Sequence, residues 1–179
     1  FDAICHTFAT LGTGGFSTKT ASVGGFQRPA VEWIITVFMF LAGVSFVQHY
    51  RLFRERQWRS VTRDYEIRAY ALLVAVATGA ITASLVWQSG FDLERAIRSA
   101  AFQVVSIATT TGFTSENYEL WSPLSHVALL LLMFVGGCTG STAGGIKVSR
   151  AVTLAHVVSR ELKRIVERRG VFAIRLGGQ

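Results

Sequence analysis

The sequence predicts an all-α integral membrane protein built from repeated helix–pore-loop–helix units, its last spanning helix broken by a glycine-rich loop. Three observations carry this. Half of the 179 residues are hydrophobic and only 16% are charged, against ~25% charge in soluble domains. Long apolar runs alternate with polar or basic blocks. A Thr/Gly pattern occurs twice: Thr13, Gly15, Phe16 and Ser17 fall on Thr110, Gly112, Phe113 and Thr114 at a constant offset of 97. An internal repeat in a membrane chain points to a pseudosymmetric site where the repeats meet.

The elements follow in order. Residues 1–11 form a short helix candidate that runs into the first Thr/Gly loop. Residues 18–28 are polar and glycine-rich and belong at a surface. Residues 31–47 are the first spanning run, extended by Gln48 and His49, with Glu32 and Trp33 at its interfacial start. Residues 51–68 form a charged connection with six arginines. Residues 69–87 make an uninterrupted spanning helix of about the ~20 residues that a bilayer core requires. A turn over 89–94 places Asp92 where it suits the dipole of the next helix. That helix, 96–108, is too short to cross and stops on Thr109, Thr110, Thr111 and Gly112. Backbone off the helix at membrane depth is tolerated only where it is buried in protein or lines a watery cavity. Rings of such carbonyls build cation selectivity filters. Pro123 opens the last apolar run, 124–135, in the first-turn position that proline tolerates.

Residues 136–145 then place five glycines in ten residues. Three readings compete. Gly136, Gly140 and Gly144 have the spacing of a small-residue packing face. The stretch also looks like a degenerate phosphate loop, but Ile146 separates Gly145 from Lys147, so the required ending fails. The third reading is a membrane helix that unwinds in its middle. Each interior glycine costs ~1 kcal/mol of helix stability relative to alanine, and five together favour the break. Apolar helical patterning resumes over 146–158.

The basic residues set the orientation. The chain carries a formal charge of +7, and fourteen of its eighteen lysines and arginines lie in 51–68 and 147–175. Blocks of this kind between apolar runs are better explained by the positive-inside tendency than by nucleic acid, and no nucleic-acid partner is expected. Both blocks fall on the cytoplasmic side if both Thr/Gly loops re-enter from outside. Trp33, Trp87 and Trp121 then lie near the outer interface. The outer side carries Asp2, Glu32, Asp92, Glu94, Glu116 and Glu119 against Lys19, Arg28, Arg95 and Arg98, a slightly negative balance that favours cations. Glu116 and Glu119 either enrich cations at a mouth or form a solvated turn. Cys5 and Cys138 are too few for a disulfide framework. His6, His49, His126 and His156 lack metal-ligand spacing and read as packing or interfacial residues. No paired carboxylates at depth, nucleophile–base pair or cofactor fingerprint points to an enzyme. Phe1 starts inside an apolar segment, so the chain reads as a piece of something longer.

The order of these elements, with Thr-Gly-Gly-Phe-Ser-Thr at 13–18, Thr-Thr-Gly-Phe-Thr at 110–114 and Gly-Gly-Cys-Thr-Gly-Ser-Thr-Ala-Gly-Gly-Ile-Lys at 136–147, resembles the TrkH/KtrB superfamily of potassium transporters. Arg160-Glu161-Leu162-Lys163-Arg164 fits the TrkH branch. The resemblance implies four membrane–pore-loop–membrane repeats around one axis. Residues 1–50 would end the second repeat, 51–68 would be the cytoplasmic connection, 69–158 the complete third repeat and 159–179 a cytoplasmic tail. It also implies potassium uptake across a prokaryotic inner membrane by a multi-pass homodimer. The basic segment 159–169 would dock a cytosolic nucleotide-binding regulatory ring of the TrkA/KtrA kind, or alternatively lie on anionic lipid headgroups. No cofactor is expected beyond K⁺ as the transported ion.

Physics then assigns roles. The carbonyls of Thr13, Gly14, Gly15, Thr110, Thr111 and Gly112 would replace water around a dehydrated K⁺. Whether Gly14 or Gly15 matches Gly112 stays open, with the Gly-Phe alignment favouring Gly15. Phe16 and Phe113 are expected to wedge behind the loops. Gly136, Gly137, Gly140, Ser141, Gly144 and Gly145 would form an intramembrane gate, with freed backbone groups satisfied by Thr139, Ser141 and Thr142. Lys147, just beyond, snorkels to the interface, repels cations or pairs with an acid elsewhere. The alternative from a different class is a non-conducting membrane scaffold or anchor subunit.

Overall fold

A computed structural model describes residues 1–166. Expectations for Arg168, Arg169, Arg175 and the rest of 167–179 lie outside the described residues. Among the described residues the elements are helical, joined by loops and two short 3₁₀ turns, with no strand.

Local chemistry starts each helix. Asp2 lies in the first turn of α1 (Asp2–Leu11), facing the positive end of its dipole. Pro29 opens α2 (Pro29–Ala42), where its missing N–H costs nothing. Asp64 caps α5 (Tyr65–Ser89): its carboxylate accepts from the Glu66 N–H at 2.9 Å and the Ile67 N–H at 3.3 Å. That cap starts the helix earlier than its apolar run alone indicates. Gly90 ends it in the left-handed region at φ +62°. Ser122 caps α7 (Pro123–Phe134) by accepting from the Ser125 N–H. The remaining helices are α3 (Phe46–Phe53), α4 (Trp58–Arg63), α6 (Leu93–Ala108) and α8 (Val148–Val166).

The spanning run expected over 31–47 is not one helix. It stops at Ala42, turns at Gly43, Val44 and Ser45, and resumes as α3 bent by 101°. At 1.5 Å per residue α2 is ~21 Å long, short of a ~30 Å core. Among the described residues one helix, Tyr65–Gln88, is long and apolar enough to cross a membrane by itself; the bent pair adds a second candidate.

The short helix α6 is the centre. Ala96, Ala100, Phe102, Val104, Val105 and Ala108 are buried on it. It packs between α5, α2 and α7, against Tyr70, Ile81 and Leu85, Met39 and Ile35, and Leu129. The outward faces show the reverse pattern. Ile34, Val37, Phe38, Leu72, Val76, Leu130, Leu131 and Phe134 are exposed. So wide an apolar surface exceeds what soluble monomers display. Trp33 and Trp87 lie on this exposed surface, whereas Trp121 is buried.

Candidate ion pathway

The two Thr/Gly loops share one backbone pattern. At the end of α1, Gly12, Thr13 and Gly14 donate their N–H groups to Phe8, Thr10 and Ala9 carbonyls at 2.8, 3.3 and 2.8 Å. At the end of α6, Thr109, Thr110 and Thr111 donate to Val105, Ile107 and Ser106 at 2.9, 2.9 and 2.8 Å. Every donor and acceptor in the second set is the first set plus 97. Neither helix has a basic residue in its last turn, so the negative dipole ends are not offset locally.

Hand alternates along each loop. Thr13 and Gly15 have φ +48° and +68°, and Thr110 and Gly112 have +57° and +85°, with Gly14 and Thr111 outside this region. Gly15 therefore shares the conformation of Gly112. Such alternation turns successive carbonyls toward one side, as an ion-lining backbone needs. Glycine adopts positive φ freely, but for a β-branched threonine it is a true outlier, at about 1–3 kcal/mol. The loops also touch. A Cβ on Gly15 would overlap the Thr111 carbonyl oxygen.

Buried hydroxyls brace the second loop. Ser106 Oγ donates to the Phe113 carbonyl at 2.7 Å, and the Thr109 and Thr111 hydroxyls lie 2.7 Å apart. Phe113 is 0% exposed and stacks on His6 of α1, with ring centroids 5.6 Å apart. His6 also bonds Ser17 Oγ through Nε2 at 2.9 Å. Phe16 departs from the wedge expectation. It is 82% exposed among the described residues.

The glycine stretch is a true break between α7 and α8. Val135 and Ile146 pair side by side, with Gly136 N–H donating to Ile146 O at 2.8 Å and Ile146 N–H to Phe134 O at 3.1 Å. The loop between them abuts both Thr/Gly loops. Thr13 Oγ1 donates to Thr142 O at 3.0 Å, and Gly144 N–H donates to Thr110 Oγ1 at 2.7 Å. These bonds help hold the two strained threonines. Laterally the loop docks on the α2–α3 elbow: Cys138 N–H donates to Gly43 O, Thr142 Oγ1 to Ala42 O, and Phe46 N–H to Gly140 O. Lys147 Nζ donates to the Ala143 carbonyl within the loop and forms no ion pair among the described residues. Ser141 Oγ donates to Cys138 O. On the far side, Glu66 of α5 accepts from Thr139 and Ser149.

The cation transport protein family TrkH matches this chain over residues 1–179. The chain belongs to the TrkH family. It is 40% identical to the Trk system potassium uptake protein TrkH of Escherichia coli K12, covering 100% of this chain and 37% of that protein. It is 39% identical to the TrkH protein of Vibrio parahaemolyticus over 99% of this chain and 37% of that protein. The crystal structure of the potassium transporter TrkH from V. parahaemolyticus superposes with a TM-score of 0.94 at 37% identity, covering 99% of this chain and 38% of that one. The chain thus spans a little over a third of the length of these relatives. The all-helical membrane fold and the family relationship are those that the residues at 13–18, 110–114 and 136–147 indicated.

Within this TrkH-family chain the structure brings the six Thr/Gly loop residues and the glycine loop into one contiguous site. Glu116, which follows the second Thr/Gly loop in sequence, is held by Arg95 at 2.7 Å. Sequence reasoning missed the elbow at Gly43–Ser45, the Ser106–Thr109 bracing and Glu66. Only Glu66 carried a signal, as an acid beside a helix start, and that signal points to its own helix.

Proposed function

We propose that this chain supplies two of the carbonyl-lined segments of a potassium uptake pathway, and that the loop 136–145 is its gate. The observation that carries the reading is the paired left-handed Thr and Gly at 13/15 and 110/112, with the glycine loop bonded to both threonines. Carbonyls of Thr13, Gly14, Gly15, Thr110, Thr111 and Gly112 take the place of water around K⁺. The seated loop abuts the inner ends of both segments. The loop is held by hydrogen bonds, so displacement has discrete contacts to break. The potassium-uptake names of the relatives support K⁺ as the ion. The repeat division at 1–50, 51–68 and 69–158, the homodimer, the inner-membrane setting and docking of a cytosolic nucleotide-binding ring to the basic tail belong to the same proposal.

Two measurements test it. The full-length protein should rescue potassium-limited growth of an uptake-deficient cell, which a scaffold would not do. In liposomes, deleting 136–145 should raise K⁺ flux per folded protein and weaken its dependence on the cytosolic partner. If the stretch is only a packing face, folding yield and flux will fall together.

A further inference from the structure

We infer that Glu66 is the positioning residue that holds the glycine loop in its seated state, by clamping Thr139 of the loop to the first turn of α8. One carboxylate oxygen, Oε1, accepts from the Thr139 N–H at 2.7 Å, the Thr139 hydroxyl at 2.9 Å and the Ser149 N–H at 3.3 Å. The Thr139 and Ser149 hydroxyls close the group at 2.7 Å. Bonds to a charged acceptor are the stronger kind, and the N-terminus of α8 offers its positive dipole end to the same carboxylate.

An acid in the first turn ordinarily serves its own helix. Here that work is done by Asp64, whose Oδ1 accepts from the Glu66 and Ile67 amides. The Glu66 side chain instead reaches across to the segment that joins α7 to α8. The three donors lie at opposite ends of the glycine loop, Thr139 shortly after its entry and Ser149 just past its exit. Glu66 therefore ties the loop to the helix that leads into the basic tail. The Ser149 bond, at 3.3 Å, is the longest of the three, and a shift of α8 past α5 of well under an ångström takes it beyond bonding range. The clamp is half-exposed and thus open to exchange with water. Motion of α8 is transmitted to Thr139 through this carboxylate.

The effect on flux rests on the gate reading above; the effect on the loop does not. Cys138, adjacent to Thr139, is a free thiol and 0% exposed. Its rate of modification by a water-soluble thiol reagent reports whether the loop is seated. The experiment uses the full-length protein in liposomes with Cys5 and the other thiols replaced by serine. Glu66→Ala should raise the Cys138 rate about 10-fold or more, as expected when bonds to a charged acceptor are lost. Glu66→Gln, which keeps an acceptor without the charge, should fall between. Thr139→Val should raise the rate on its own and add less than about twofold to Glu66→Ala, because both break one network. An unchanged Cys138 rate in Glu66→Ala, or in Thr139→Val should the first variant not fold, overturns the clamp. If the rate rises while K⁺ flux stays unaltered, the clamp stands and the gate reading fails. If deletion of 136–145 raises flux while Glu66→Ala leaves Cys138 protected, the gate stands and the clamp fails.

Discussion

At the residue scale, a side chain on Gly15 would meet the Thr111 carbonyl, while one on Gly112 would meet nothing within 4 Å among the described residues. Both sit at positive φ, where a non-glycine residue costs about 1–2 kcal/mol. Gly112→Ser should therefore strain one loop, and Gly15→Ser should strain one loop and push the two apart. K⁺ over Na⁺ flux ratios should fall in both variants and fall further for Gly15→Ser; unchanged ratios would remove the carbonyl-lining assignment. A second residue-level expectation concerns Glu32 and Arg98, a largely buried ion pair at 2.9 Å that joins α2 to α6. Removing one member of a buried pair costs about 3–5 kcal/mol. Glu94 also holds Arg98, at 2.8 Å, so Glu32→Ala should lie near the lower bound, read as a drop in Tm of the detergent-solubilised protein.

At the element scale, the elbow between α2 and α3 is the part of the fold that the sequence concealed. Gly43 alone does not announce a break, and Val44, Phe46 and Val47 continue the apolar pattern. The bend is fixed from a distance: Cys138, Gly140 and Thr142 satisfy the backbone groups that Ala42, Gly43 and Phe46 expose at the turn. By contrast, the break over 136–145 was legible because five glycines remove helical preference locally. The short helices were legible because each apolar run ends on a Thr/Gly cluster, and the repeat fixed which residues correspond. Phe16 and Phe113 show the limit of that correspondence: equal in pattern, they differ in burial, since among the described residues Phe113 stacks on His6 of α1 while Phe16 is exposed. The elbow gives its own expectation. A Cβ on Gly43 would overlap the Tyr70 hydroxyl and come within 2.9 Å of the Thr109 methyl. Gly43→Ala should lower Tm, and Tyr70→Phe, by removing the nearest atom, should restore part of the loss in a double-mutant cycle.

At the scale of the whole molecule, the connection over 51–68 stands out for its six arginines. Lys19, Arg95 and Arg98 each hold an acid on the proposed outer side. Arg51, Arg54, Arg56, Arg59 and Arg63 form no ion pair among the described residues. An excess of Lys and Arg in a short loop is the pattern that retains it in the cytoplasm. Trypsin should cut within 54–59 in inside-out vesicles and spare it in right-side-out ones. Cleavage from the outside would reverse the orientation and move the Thr/Gly loops to the wrong mouth.

The pairing of Val135 with Ile146 has a consequence for how such a chain can vary. Residues paired across neighbouring strands sit about 4.8 Å apart, little more than the ~3.8 Å between bonded neighbours. The ten residues between them therefore form a detour whose entrance and exit coincide. A single linking residue could replace the detour without shortening the path through the bilayer. On the gate reading, the segment that blocks ions adds nothing to the reach of its helix. Its length and composition can then set how often the path opens without altering how the protein is inserted.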